Sequence, residues 1–194
     1  MYQVVVIGAS AGGLHALATI LARLPRQFPI PLAIVQHMDP SRTSSIAEIL
    51  GRKTPLRVKE ATASETMRSG VAYIAPPGRH LLVDFGCSVL LTDSQPVHFV
   101  RPSADVLFES AARICAADVI GVVLTGSGSD GASGATAIKC VGGIVIAQDE
   151  ETSLFFSMPH AAIAAGAVDY VLPLEAIANR LIELTENGAH ERRG

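Results

Sequence analysis

Apolar positions along the chain fall into two rhythms. Short continuous runs rich in valine and isoleucine occupy residues 3–7 (QVVVI), 32–36 (LAIVQ), 119–124 (VIGVVL), 144–147 (IVIA) and 168–171 (VDYV). Runs without polar alternation predict strands covered on both faces, as in a parallel sheet. Between them, stretches near 13–24, 43–51, 103–116, 131–141 and 174–186 predict helices, and LEAIANRLIELTE carries the clearest helical spacing. Strand and helix in alternation predict a doubly wound α/β fold, a mostly parallel sheet flanked by helices in three layers. The stretch around 70–92 breaks the rhythm. GVAYIAPPGRHLLVDFGCSVLLTD holds three strand-like runs with turn residues between them and no helix, so antiparallel strands are expected beside the parallel core. Residues 1–186 are expected to form one domain, with 187–194 a polar, frayed tail.

Composition narrows the function classes. At 194 residues, a chain that is 49% hydrophobic and 17% charged builds a core rather than staying disordered. A net charge of −3 gives no basic footprint, so nucleic acid and anionic membrane are poor partners. No apolar stretch has the length to span a bilayer, and the start MYQVVVIG has no basic n-region, so a cytoplasmic location is expected. Cys87, Cys115 and Cys140 are odd in number and scattered, which predicts reduced thiols acting as small hydrophobes. No two histidines have H-x-x-x-H spacing; neither a metal nor a cofactor is expected.

Open α/β sheets form their sites beyond the carboxyl ends of the strands. The first strand runs into Gly8-Ala9-Ser10-Ala11-Gly12, a G-x-S-x-G turn. Such a turn needs small neighbours because its serine stands out on a strained backbone, and it aims N–H groups and a helix N-terminus at whatever the serine attacks. The plainer reading of Ser10 is an N-cap for the first helix. The second strand ends in AIVQHMDP, placing His37 within reach of the first strand's end; alone, it would read as an ordinary loop histidine.

The stretch VVLTGSGSDGASG spells G-x-G-x-x-G through Gly126, Gly128 and Gly131, with Asp149 at the end of the next strand, a dinucleotide-binding pattern. Asp130 opposes that reading, since a carboxylate in the cradle repels phosphate. The same carboxylate suits a different task, accepting the N–H of a histidine, or simply capping the helix that follows. Taken together, Ser10, His37 and Asp130 supply a nucleophile, a base and an orienting acid at three strand ends. Their order along the chain differs from the Ser–Asp–His order of α/β-hydrolases.

The stretches VVVIGASAGG, IVQHMDP, VAYIAPPGRHLLV, RPSADVLFESAA, GVVLTGSGSDGASG and SLFFSMPHAAI, in this order, resemble the catalytic domain of bacterial chemotaxis protein-glutamate methylesterases (CheB-type) over about residues 3–185. The resemblance implies a serine triad of Ser10, His37 and Asp130. It also implies hydrolysis of glutamyl methyl esters on the cytoplasmic helical region of methyl-accepting receptors, with deamidation of selected glutamines alongside. Three positions depart from the family pattern. Ser127 stands where the family usually has Met, Ala11 where it commonly has Thr, and His98-Phe99-Val100-Arg101 where it often has His before RPS. Backbone N–H groups of Ala11 and Ser127 are the oxyanion donors this comparison points to. The first core strand starts at residue 3, which predicts a stand-alone catalytic domain without the family's usual receiver domain. Two other classes remain open from sequence: a nucleotide-binding module on Gly126–Gly131, and a catalytically silent binding protein on the same fold.

Overall fold

The computed structural model describes residues 2–38 and 45–190. The opening apolar run forms β1 (Val4–Ala9), and the glycine turn after it leads into α1 (Gly13–Arg23). The chain continues through β2 (Leu32–Gln36), α2 (Ile46–Gly51), β3 (Arg57–Glu60) and β4 (Val71–Ile74). A hairpin of β5 (His80–Asp84) and β6 (Ser88–Thr92) precedes α3 (Ala104–Cys115), β7 (Val119–Val123) and α4 (Ala132–Cys140). Then come β8 (Ile144–Gln148), α5 (Ser157–Ala164), β9 (Tyr170–Leu172) and α6 (Leu174–His190).

Seven strands make one parallel sheet in the order β3-β4-β2-β1-β7-β8-β9. The expected doubly wound, three-layer architecture is therefore present. Alternate side chains of β1 explain its unbroken apolar run. Val4 and Val6 enter a core shared with α3, α4, α5 and the β5–β6 hairpin, while Val5, Ile7 and Ala9 enter another shared with α1 and α6. The order of winding reverses between β1 and β7, and the crevice beyond the carboxyl ends at such a point is where these sheets bind ligands.

The stretch around 70–92 divides. Its first strand, β4, joins the main sheet in parallel between β3 and β2; only β5 and β6 are antiparallel, and they form a two-stranded sheet of their own. Neither β3 nor α5 is expected from the apolar pattern. RVKE of β3 is a charged edge strand, and α5 is short with Pro159 in its first turn, where the missing N–H costs nothing. α6 continues beyond residue 186 to His190, into the stretch expected as a tail. Residues 191–194 lie outside the described residues, as do 39–44, which hold the end of IVQHMDP and the expected start of the second helix. Among the described residues, no helix is long and apolar enough to cross a membrane.

Candidate active site

Three adjacent central strands deliver the three residues. Ala9 pairs with Gln36 in the β1–β2 register, so Ser10 and His37 are the next residues out on neighbouring strands, and His37 N donates to Ala9 O (2.9 Å). On the other side Ser10 N donates to Thr125 O (3.1 Å), just past β7. Asp130 closes the loop that leaves β7 and returns over the sheet, where its Oδ2 lies 2.7 Å from His37 Nε2. Parallel strands stand about 4.8 Å apart, so the spacing of Ser10 and His37 is set by the sheet itself.

The turn differs from the expected elbow in one respect. Ser10 is not among the positive-φ residues; the left-handed position is Gly12 (φ 80°), which as residue before α1 takes the strain at little cost. Crowding explains another glycine. A Cβ on Gly126 would come within 2.7 Å of Ser10 Cβ and run into Met158, so the β7 loop approaches Ser10 only with Gly at this position.

Asp130 is the most heavily held group in the site. Its Oδ1 accepts from Ser103 Oγ (2.7 Å) and Asp105 N (3.0 Å), and its Oδ2 from Ala104 N (2.6 Å) as well as His37. Ser103 is the N-cap of α3, so the carboxylate faces the positive end of that helix. Burial by itself pushes the Asp130 carboxyl up, but the donors from His37, Ser103 and the α3 backbone outweigh it and hold it below the usual range. The magnitudes agree, since hydrogen bonds to a charged group are worth about 1.5–3 kcal/mol each against several kcal/mol for burying one ion.

This arrangement is reciprocated by a second carboxylate. Asp105 Oδ1 accepts from Gly131 N (2.9 Å) and Gly134 N (2.7 Å), so α3 lends its N-terminus to Asp130 while its own Asp105 holds the N-terminus of α4. Burial raises the Asp105 carboxyl, and the charge of Asp130 adds to that. His98 Nε2, on a tight turn in which His98 and Phe99 are both left-handed, lies 3.3 Å from Asp105 Oδ2. Fully buried His80 completes the support: its Nδ1 accepts from Ser103 N (3.2 Å) while Nε2 donates to Gln95 O (3.1 Å). Ser103, Asp105 and His80 are absent from the triad read in the sequence, although RPSAD and GRHLLV contain them. A buried histidine in an otherwise apolar strand was the available signal.

The G-x-G-x-x-G loop is partly committed within the protein, with Gly126 N donating to Phe155 O (2.9 Å). The N–H groups of Gly131 and Gly134 are taken by Asp105, and Asp149 Oδ1 accepts locally from Thr152 N and Oγ1.

Ser10 opens onto a cleft of about 400 Å³ lined by Gly12, His15, Gln36 and Lys53 among others; a smaller pocket of about 150 Å³ borders His37, Phe99 and Arg101. Ser10 Oγ and His37 Nδ1 make no hydrogen bond among the described residues, and catalytic contacts of this kind commonly tighten only with substrate bound. The N–H groups of Ala11 and Ser127 likewise have no partner among the described residues. The thiols lie apart from this constellation. Burial pushes Cys115 up to about 12, Cys87 is raised for the same reason, and Cys140 is exposed rather than the buried hydrophobe expected.

The charge on Asp130 has a consequence for stability. Its native pKa lies below the unfolded value of about 3.9, so its contribution is fully present above that pH and is lost as pH falls through the native value. Asp105 acts with the opposite sign and part of its rise comes from the Asp130 charge, so Asp130 and Asp130→Asn are compared in an Asp105→Asn background, where that titration is absent from both proteins. The gap in urea midpoint between the two proteins should narrow from pH 7 to pH 3; a constant gap would show that Asp130 is not held as a carboxylate.

The family profile described as CheB methylesterase matches residues 5–181. A putative protein-glutamate methylesterase/protein-glutamine glutaminase of Leptospira interrogans is 44% identical over 191 residues, covering 98% of this chain and 99% of its own length. A protein-glutamate methylesterase/protein-glutamine glutaminase of Anaeromyxobacter dehalogenans is 48% identical over 183 residues, and there the chain spans 53% of the relative. The crystal structure of the Thermotoga maritima CheB methylesterase catalytic domain superposes with a TM-score of 0.92 at 43% identity, covering 95% of this chain and 99% of that one.

Proposed function

The chain belongs to the CheB methylesterase family, and from that membership together with the site geometry we propose that it is a serine hydrolase of glutamyl methyl esters. The observation that carries the proposal is the His37–Asp130 contact of 2.7 Å beside Ser10 on the neighbouring strand. Ser10 Oγ attacks the ester carbon and passes its proton to His37. Asp130 occupies Nε2, so Nδ1 is the nitrogen that receives it, and the carboxylate stabilises the imidazolium that forms. The tetrahedral oxyanion takes the N–H groups of Ala11 and Ser127. Collapse expels methanol, protonated by His37, and leaves an acyl-serine. Water, deprotonated by His37, then releases the glutamate carboxylate and restores Ser10. With a glutamine side chain the same steps expel ammonia. No step calls for a cofactor.

The substrate in this reading is the cytoplasmic helical region of methyl-accepting receptors or a similar methylated protein, which places the enzyme in chemotaxis-type signal transduction in the cytoplasm. The relatives' names couple the two reactions, which supports one nucleophile serving ester and amide. Incubation with a carboxyl-methylated receptor fragment should release methanol and lower the fragment's mass by one methylene per ester. Labelling by a fluorophosphonate without methanol release would leave a serine hydrolase with another substrate. Neither signal would favour a silent binding protein.

A further inference from the structure

Backbone pairing between β1 and β2 ends at Ala9 and Gln36, so the two residues that matter most, Ser10 and His37, stand one step beyond the ladder. The next rung is supplied by a side chain. Gln36 Nε2 donates one proton to Ser10 O (2.8 Å) and the other to His37 O (2.9 Å). Gln36 is 6% exposed, so these bonds run in a nearly dry environment where amide–carbonyl bonds hold geometry firmly. Ser10 O also accepts from Gly13 N (2.8 Å), so without Gln36 that carbonyl keeps a partner. What it would lose is its tie to His37. A place for the amide is kept open by Gly13: a Cβ there would overlap Gln36 Oε1, and that oxygen has no hydrogen-bond partner among the described residues. A buried polar oxygen left bare is a cost that packing alone does not explain, since an apolar side chain of the same shape would avoid it.

We propose that Gln36 is a positioning residue, an amide clamp that fixes the carbonyls of nucleophile and base relative to one another so that Ser10 Oγ and the His37 ring meet in attack geometry. The inference rests on the reading of Ser10 and His37 as nucleophile and base. A misplacement of about 1 Å costs on the order of 100-fold in rate, which sets the scale expected when the clamp is released.

The test is the kinetics of fluorophosphonate labelling of wild type and Gln36→Met, a variant of matching shape that lacks both donors. The maximal labelling rate should fall roughly 10- to 100-fold, with the probe concentration at half-saturation unchanged. The inflection of the rate with pH should also stay in place, because position and not charge has changed. A purely structural Gln36 would lower the melting temperature and leave the labelling rate below that temperature intact, which overturns the clamp. Wild type that resists labelling overturns the reading of Ser10 instead, and the clamp's purpose with it. Should Gln36→Met fail to fold, hydrogen exchange of the wild-type Gln36 carboxamide decides the matter. Protection well beyond that of exposed Gln27 supports the clamp, and equal exchange rates refute it.

Discussion

Alanine at position 10 should lower methanol release by about a million-fold, to the residual rate that oxyanion donors and binding provide without a nucleophile. The fold should not notice the change. The Ser10 side chain has no hydrogen bond among the described residues, and its Cβ, the atom that fits against Gly126, is kept in alanine. Melting should therefore shift by no more than a surface substitution does, about 0.5 kcal/mol of stability. Measured side by side, an unchanged melting curve with lost turnover assigns Ser10 to chemistry. Retained turnover would remove it from the site.

The second large effect belongs to Asp130→Asn, for which a loss of about 10,000-fold in turnover is expected. The reason can be followed atom by atom. Both carboxylate oxygens accept: Oδ1 from Ser103 and Asp105, Oδ2 from Ala104 and His37. An asparagine amine in the Oδ2 position would face the Ala104 N–H and donate to His37, shifting the ring proton to Nδ1, where it blocks transfer from Ser10. In the Oδ1 position it would face the Asp105 N–H instead. Either way one buried donor loses its partner, at about 1–3 kcal/mol, so this variant, unlike Ser10→Ala, should also unfold earlier. Full activity of Asp130→Asn would take the residue out of the proton path and leave it a helix cap.

Ser10 and His37 were legible as candidates because each stands one residue past an apolar strand, and Asp130 because it puts a carboxylate in the loop after the third; each had a plainer reading alone, and only their convergence weighed against it. The parallel sheet was legible because β1, β2, β7 and β8 are buried on both faces and carry no alternation. Strands at the rim were not. β3 reads RVKE because one of its edges meets solvent, and orientation of β4 depends on a crossover without a helix, which leaves no periodic mark. The supporting groups were hidden for another reason. Ser103 looks like any N-cap and Gln36 like the polar end of a strand until their partners, far off in the chain, are known. A general sign was nevertheless present. Both LAIVQ and IVIAQ close a strand on a buried glutamine, and both amides replace backbone rungs, Gln36 toward Ser10 and Gln148 toward Thr125 and Thr152.

The pairing of β1 with β7, Val4 against Val119, bears on the life of the chain before it is finished. As synthesis proceeds from the N-terminus, Ser10 and His37 emerge early and β1 can meet β2 at once, but its other flank has no strand to join until residue 123 is out, and Asp130 later still. Such long-range parallel pairing is slow to form, and domains generally close as units. In the nascent domain Ser10 thus stands beside His37 before Asp130 is available to it. His37 meets Asp130 only when the second half of the sheet docks, so the proposed catalytic set is assembled together with the completed core.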